Sequence, residues 1–143
     1  MAQKEGSIVH VEFHSADPTR TKQFYQQVFG WKFQEIPEMN YAMFQAPSPP
    51  HGGLQKHGEG RGPMVMNYVL SKSINTTLPK IQAAGGSILV PKSEIPGQGW
   101  WAVFQEPGGT VMSLYENMPK PRAPAPKKAA KRKAKKAGRR RKR

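Results

Sequence analysis

The sequence predicts an α+β fold of two tandem βαβββ modules forming a cup-shaped sheet, followed by a disordered basic C-terminal tail. Three observations predict it. Short alternating segments are interrupted twice by a stretch with helix-start and helix-stop residues, which is the pattern of strands returning around a helix. The same order of segments reappears when the sequence is shifted by 56 positions, the mark of an internal repeat. Composition then breaks at Pro119: residues 119–143 hold 14 of the 23 Lys+Arg residues and none of the 9 acids.

The first module opens with IVHVEFH, residues 8–14. Its alternation puts Val9, Val11 and Phe13 on one face and Ile8, His10, Glu12 and His14 on the other, as in a half-buried strand. A helix follows, with Asp17 as cap, Pro18 at the first helical position, Phe24, Tyr25, Val28 and Phe29 as an apolar stripe, and Gly30 as the stop. WKFQEI and NYAMFQA read as two strands and GGLQKH as a shorter third. The glycine- and proline-rich APSPPHGGLQKHGEGRGP reads as a long, mobile connection bordering the mouth of the cup, able to act as a lid.

In the second module MVMNYVL is the first strand, residues 74–84 the helix, and SILVPK, WWAVFQ and TVMSLYE the remaining strands. The shift places His10 on Met66, Asp17 on Ser73, Tyr25 on Ile81 and Gly30 on Gly86. Pro79 conflicts with a helix interior, so the helix is expected to start late enough to keep it in the first turn. Taking EPGG as the loop of the last hairpin pairs Phe104 with Val111, Ala102 with Ser113 and Trp100 with Tyr115, and turns those six toward the cup. Trp101, Val103, Met112 and Leu114 then face the helices.

HVEFHSADPTRTKQFYQQVFGW in the first module, with IQAAGG and GWWAVFQEPGGTVMSLYE in the second, resembles the vicinal oxygen chelate superfamily, which includes glyoxalase I, bleomycin-resistance proteins and extradiol dioxygenases. The resemblance covers residues 7–117, with modules at about 8–57 and 64–116, and implies two curved sheets joined into a ligand-holding cup. It also implies metal-ligand positions on the first and last strands of each module. His10 fills the first, Met66 and Ser113 fill two others, and the fourth falls within HGGLQKH, at Gln55, His51 or His57. A thioether and a neutral hydroxyl suit a hard or borderline divalent cation poorly, so no metal and no cofactor are expected.

The candidate ligand-binding residues are His10, Glu12, Met66, Tyr68, Trp100, Phe104, Ser113 and Tyr115, which give the cup an aromatic and thioether lining. His10 also reads as a hydrogen-bonded core histidine, and Glu12 as a paired or wetted carboxylate. The cup could equally be filled by its own side chains. No catalytic residue stands out: there is no cysteine and no nucleophile elbow, and GGL and PGG read as turns rather than phosphate cradles.

Residues 119–143 consist of Lys, Arg, Ala, Pro and Gly alone, so nothing there can build a core. The other 118 residues carry 9 basic and 9 acidic side chains, and the net charge of +14 belongs to the tail, taken as residues 118–143. Its candidate nucleic-acid-binding residues are Lys127, Lys128, Lys131, Arg132, Lys133, Lys135, Lys136, Arg139, Arg140, Arg141, Lys142 and Arg143. Such a run binds phosphates without reading sequence. The expected partners are DNA, bound nonspecifically, a small hydrophobic ligand and a second copy of the chain. No signal peptide or membrane span is expected, and the expected location is intracellular, in the cytoplasm and nucleoid or in a nucleus. The function read from these features is a metal-free small-molecule-binding domain tethered to nucleic acid. The alternative is a metal-dependent glyoxalase-type lyase or a dioxygenase with an incidental tail.

Overall fold

The computed structural model describes residues 3–119, so the tail residues read as nucleic-acid-binding lie outside the described residues. The first module contains β1 (Ile8–Ser15), α1 (Pro18–Phe29), β2 (Lys32–Ile36), β3 (Tyr41–Gln45) and β4 (Gly52–Lys56). The second contains β5 (Met64–Leu70), α2 (Ile74–Ala83), β6 (Ser87–Ile95), β7 (Gly99–Gln105) and β8 (Val111–Asn117). All eight strands form one mixed sheet in the order β2-β3-β4-β1-β5-β8-β7-β6. That order reads as two four-stranded halves related by a pseudo-twofold axis, joined where β1 runs antiparallel to β5. Within each half the first and last strands are parallel, β1 with β4 and β5 with β8.

Local chemistry sets the helix ends. The Asp17 carboxylate accepts from the Arg20 amide at 3.1 Å, Pro18 opens α1, and Gly30 closes it in the left-handed region at φ 67°. Ser73 performs the same service for α2, accepting from the Thr76 amide, so the repeat holds at both N-caps. It slips by one at the C-termini, because the left-handed glycine after α2 is Gly85 at φ 92°, not Gly86. The expected late start of this helix is also corrected: α2 begins at Ile74 and carries Pro79 in its interior, on the exposed side. Proline there removes the amide that would bond to Asn75. Glu116 on β8 accepts from the Ile74 amide at 2.7 Å and secures the start of the helix.

The helices cover one face of the sheet with different chemistry in each half. Phe13 stacks within 5.2 Å of Tyr25 and 5.1 Å of Phe44, and Trp31 lies 4.7 Å from both Tyr25 and Phe44, forming an aromatic pile between α1 and the sheet. Under α2 the packing is mainly aliphatic: Ile74, Ala102 and Leu114 are buried, with Leu78, Ile81, Trp100 and Phe104 against them. The apolar stripe expected on α1 is only partly used. Tyr25 joins the pile, whereas Phe24, Val28 and Phe29 stay more than half exposed.

Two further expectations change. GGLQKH does not lie in one long connection, because Gly52 to Lys56 form β4 inside the sheet and divide that stretch into two shorter loops. For the same reason GGL is strand, not turn. The last hairpin has a five-residue loop, Glu106 to Thr110, whose amide at Glu106 donates to the Thr110 carbonyl. Glu106 in turn accepts from the amides of Gly108 and Thr110 and draws Thr110 into the loop. The register is therefore Gln105 with Val111, Val103 with Ser113 and Trp101 with Tyr115. One extra loop residue reverses the faces of β7 and leaves those of β8 as expected.

Candidate functional site

The concave face encloses a cavity of about 500 Å³. Strand alternation delivers its wall. β1 contributes His10, Glu12 and His14, β3 contributes Tyr41 and Met43, and β4 contributes Gln55. Across the β1–β5 seam the wall continues with Met66 and Tyr68, then Val90, Trp101, Val103, Ser113 and Tyr115. Of the residues read as ligand-binding, His10, Glu12, Met66, Tyr68, Ser113 and Tyr115 line this cavity. Trp100 and Phe104 do not: they pack toward α2, Trp100 lies under the Lys92 ammonium at 4.6 Å, and Trp101 and Val103 take their places.

Glu12 is the centre of the polar wall. It is 7% exposed, and four side chains meet it. His14 Nε2 lies 2.6 Å from Oε1, the Gln55 amide donates to Oε1 at 2.7 Å, Tyr68 donates to Oε1 at 3.2 Å, and Tyr41 donates to Oε2 at 3.0 Å. His10 Nε2 stands 2.9 Å from the Tyr41 hydroxyl and 3.8 Å from Oε2. Burial alone would raise the Glu12 pKa. The nearby His10 imidazole, hydrogen bonds from the His14 and Tyr41 side chains and the charge of His14 outweigh burial and hold it at about 2. Burial, reinforced by the Glu12 charge, drives the Tyr41 and Tyr68 phenols well above their ordinary value, so both keep their protons.

These protonation states decide which imidazole nitrogens carry hydrogen. An ionised carboxylate only accepts, so the His14 nitrogen facing it is an N–H donor. The Gln55 amide, 3.2 Å from that same nitrogen, then has only Glu12 as acceptor. Tyr41 has one proton and gives it to the carboxylate, so its oxygen accepts from His10 Nε2–H. Nε2 of His10 thereby carries hydrogen, and in the neutral ring Nδ1 is the acceptor.

The pseudo-twofold supplies the alignment that sequence alone left open. β1 and β4 pair Glu12 with Gly53 and His14 with Gln55, while β5 and β8 pair Tyr68 with Ser113 and Leu70 with Tyr115. Glu12 and Tyr68 are equivalent, so Gly53 is the counterpart of Ser113 and Gln55 that of Tyr115. The fourth metal-ligand position implied by the resemblance is therefore Gly53. A Cβ there would lie 1.5 Å from the Tyr41 hydroxyl oxygen, so the phenol occupies the volume of a ligand side chain. Of the other candidates, His57 is half-buried and bonded to the Gly58 carbonyl, and neither it nor His51 lines the cavity. One imidazole, a thioether, a hydroxyl and a glycine do not make a divalent-cation site. Among the described residues no group of three or more His, Cys, Asp or Glu is placed to hold a metal ion.

Sequence reasoning missed Tyr41, Gly53 and the centring role of Glu12. A paired glycine within a strand signals a close approach of another group, and that was the available clue to Tyr41. Ser113 is fully buried in the wall of the cavity beside Tyr68, and its hydroxyl makes no hydrogen bond among the described residues.

Comparison with known proteins agrees with this architecture. The bleomycin resistance protein-like N-terminal family matches residues 7–47. The mycobacterial protein CFP32, named as a glyoxylase in Mycobacterium bovis and M. tuberculosis, is 23% identical over 126 residues, covering 79% of this chain and 46% of the relative. The chain thus spans about half the length of the curated relatives it matches. Methylmalonyl-CoA epimerase from M. tuberculosis superposes with a TM-score of 0.63 at 17% identity, over 83% of this chain and 94% of that one. The Mn(II)-bound glyoxalase from Novosphingobium aromaticivorans gives 0.59 at 20%, over 82% and 43%. With identities this low the structural likeness speaks to fold, and together with the family match it establishes that the chain carries the vicinal oxygen chelate architecture, with a bleomycin-resistance-like first module.

Proposed function

We propose that the folded head binds a small, largely apolar molecule without a metal ion, and that the basic tail tethers it to nucleic acid without reading sequence. The observation that carries the head's role is the exchange of ligand positions for Gly53, Met66 and Ser113 around an open cavity of about 500 Å³. A cavity of this size with an apolar second wall suits a small organic ligand. The tail's role rests on its 14 cations set against a neutral body. A homodimer is part of this reading, supported by the exposed Phe24, Val28 and Phe29 on α1. So is an intracellular location at the nucleoid or in a nucleus.

Metal analysis and native mass spectrometry of purified protein, before and after nuclease treatment, test both halves. The expected outcome is no stoichiometric metal and a complex that nuclease removes. A tight one-to-one ion would restore the reading as a metal-dependent lyase or dioxygenase, which the likeness to glyoxalases favours. On duplex DNA, if about 8 cations engage, the logarithm of affinity should fall with the logarithm of salt at a slope near −7, from about −0.9 per phosphate. Removing residues 119–143 should abolish binding. A truncated head that keeps most of its affinity would end the tether reading.

A further inference from the structure

We infer that the cup selects a neutral aromatic ligand carrying a hydrogen-bond donor, a phenol or an N–H heterocycle, which donates to Nδ1 of His10 while its ring lies toward Trp101. The inference rests on the reading of the cavity as a binding site and adds the class of molecule it takes.

Three observations converge on it. The first is the hydrogen-bond order around Glu12. With Tyr41 donating to the carboxylate, His10 spends Nε2–H on the Tyr41 oxygen, and Nδ1 is left as an acceptor. The second is access. His10 lines the cavity with a side chain 24% exposed, and its ring bond among the described residues is made through Nε2. Nδ1 is not among the buried unpartnered atoms of the described residues, which are His51 Nδ1 and Ser113 Oγ, so it is accessible on a side chain that lines the cavity. The third is charge. Among the described residues Glu12 is the one carboxylate on the wall, yet His14, Gln55, Tyr41 and Tyr68 already occupy it. A cationic ligand would have to displace one of them, and leaving a buried donor unpaired is costly. Arg61, the cation among the described lining residues, sits in the loop at the rim rather than beside His10, so the inner polar wall presents an acceptor to a neutral donor, and Trp101, Val103 and Tyr115 present apolar surface to a ring.

A matched-pair titration of the full chain tests this. 2-Naphthol is compared with 2-methoxynaphthalene, and indole with 1-methylindole, each pair exchanging the donor hydrogen for a methyl group, whose bulk the His10→Phe variant controls for; 2-naphthylmethylammonium supplies the cation. The naphthol or the indole should bind at least about tenfold more tightly than its methylated partner, the worth of about one hydrogen bond. The pair with the larger ratio identifies the donor as hydroxyl or N–H. That preference should vanish in His10→Phe, and nitrogen NMR of the unliganded protein should find His10 protonated at Nε2 only. Equal binding within both pairs overturns the inference while the cavity reading stands. Failure of all probes to bind overturns both. Preference for the ammonium compound, or a His10 protonated at Nδ1, overturns the inference by showing that Glu12 remains available or that the hydrogen-bond order is reversed.

Discussion

The two halves of the sheet share strand order, register and capped helices, yet their concave faces are opposites. In the first half a carboxylate sits at the centre with two imidazoles, a phenol and an amide around it. In the second the equivalent of Glu12 is Tyr68, and its neighbours are Met66, Val103 and Ser113. Register is thus a geometric property that two halves can share while their chemistry diverges. Strand alternation keeps helix-facing and cup-facing positions apart, so each set can change without disturbing the other. The halves also depend on one another across the seam, since Tyr68 of the second donates to Glu12 of the first.

The largest effect that would break the comparison is expected at Glu12. Glu12→Leu strands four donors and should destabilise the head by about 3–5 kcal/mol, whereas Tyr68→Phe, at the symmetric position, should cost about 1 kcal/mol. Chemical denaturation of both variants measures it, and equal losses would mean that Glu12 is not the centre of the wall. The same carboxylate makes stability pH-dependent. Its folded pKa of about 2 lies below the ordinary glutamate value of 4.5, so its contribution is complete above about pH 4.5 and is lost as pH falls toward 2. That contribution is about 3 kcal/mol at most, from 1.36 kcal/mol per pKa unit. Melting curves across this window should slope steeply in the natural protein and flatten in Glu12→Gln.

Gly53 and Ser113 form the next pair, and their substitutions should differ in sign. Gly53→Ala drives a Cβ into the Tyr41 hydroxyl and should cost about 2–3 kcal/mol. Ser113→Ala removes a buried hydroxyl without a partner and should be neutral or stabilising by up to about 1 kcal/mol. A destabilising Ser113→Ala would show that the hydroxyl has a partner after all. The adjacent tryptophans sharpen the contrast further. Trp100→Ala should lower the melting temperature, with a loss of about 2 kcal/mol, and spare probe binding; Trp101→Ala should do the reverse, weakening 2-naphthol with a cost of about 1 kcal/mol or less to the fold. Swapped outcomes would return the hairpin to the four-residue-loop register.

Most of the fold was legible because its signals are local. Asp17 and Ser73 announce their helices within three residues, and alternation within β1 alone sends His10 and Glu12 to one face and Phe13 to the other. The site was legible where alternation could be read along one strand, at His10, Glu12, Met66 and Tyr68, and on the β8 side of the hairpin, at Ser113 and Tyr115; all six reach the cavity wall. Trp100 and Phe104 were misplaced because a hairpin's faces depend on its loop count, and the Glu106 carboxylate adds Thr110 to the loop. The polar network was hidden because Tyr41, Gln55 and Tyr68 lie 29, 43 and 56 residues from Glu12. No periodicity spans such separations; only closure of the sheet brings them together.

The position of β1 and β5 in the middle of the strand order has a kinetic consequence. Both strands are bonded on each side, so their amides should be among the last to exchange with deuterium, while β2 and β6, at the open edges, exchange sooner. His10, Glu12, Met66 and Tyr68 all stand on those slow strands, and Arg61 and Met39 border the same cavity from a loop and a short turn. Fluctuations that admit or release a guest can thus run through the rim while the recognition groups stay in register. A bound molecule should accordingly slow exchange at the rim far more than along the seam.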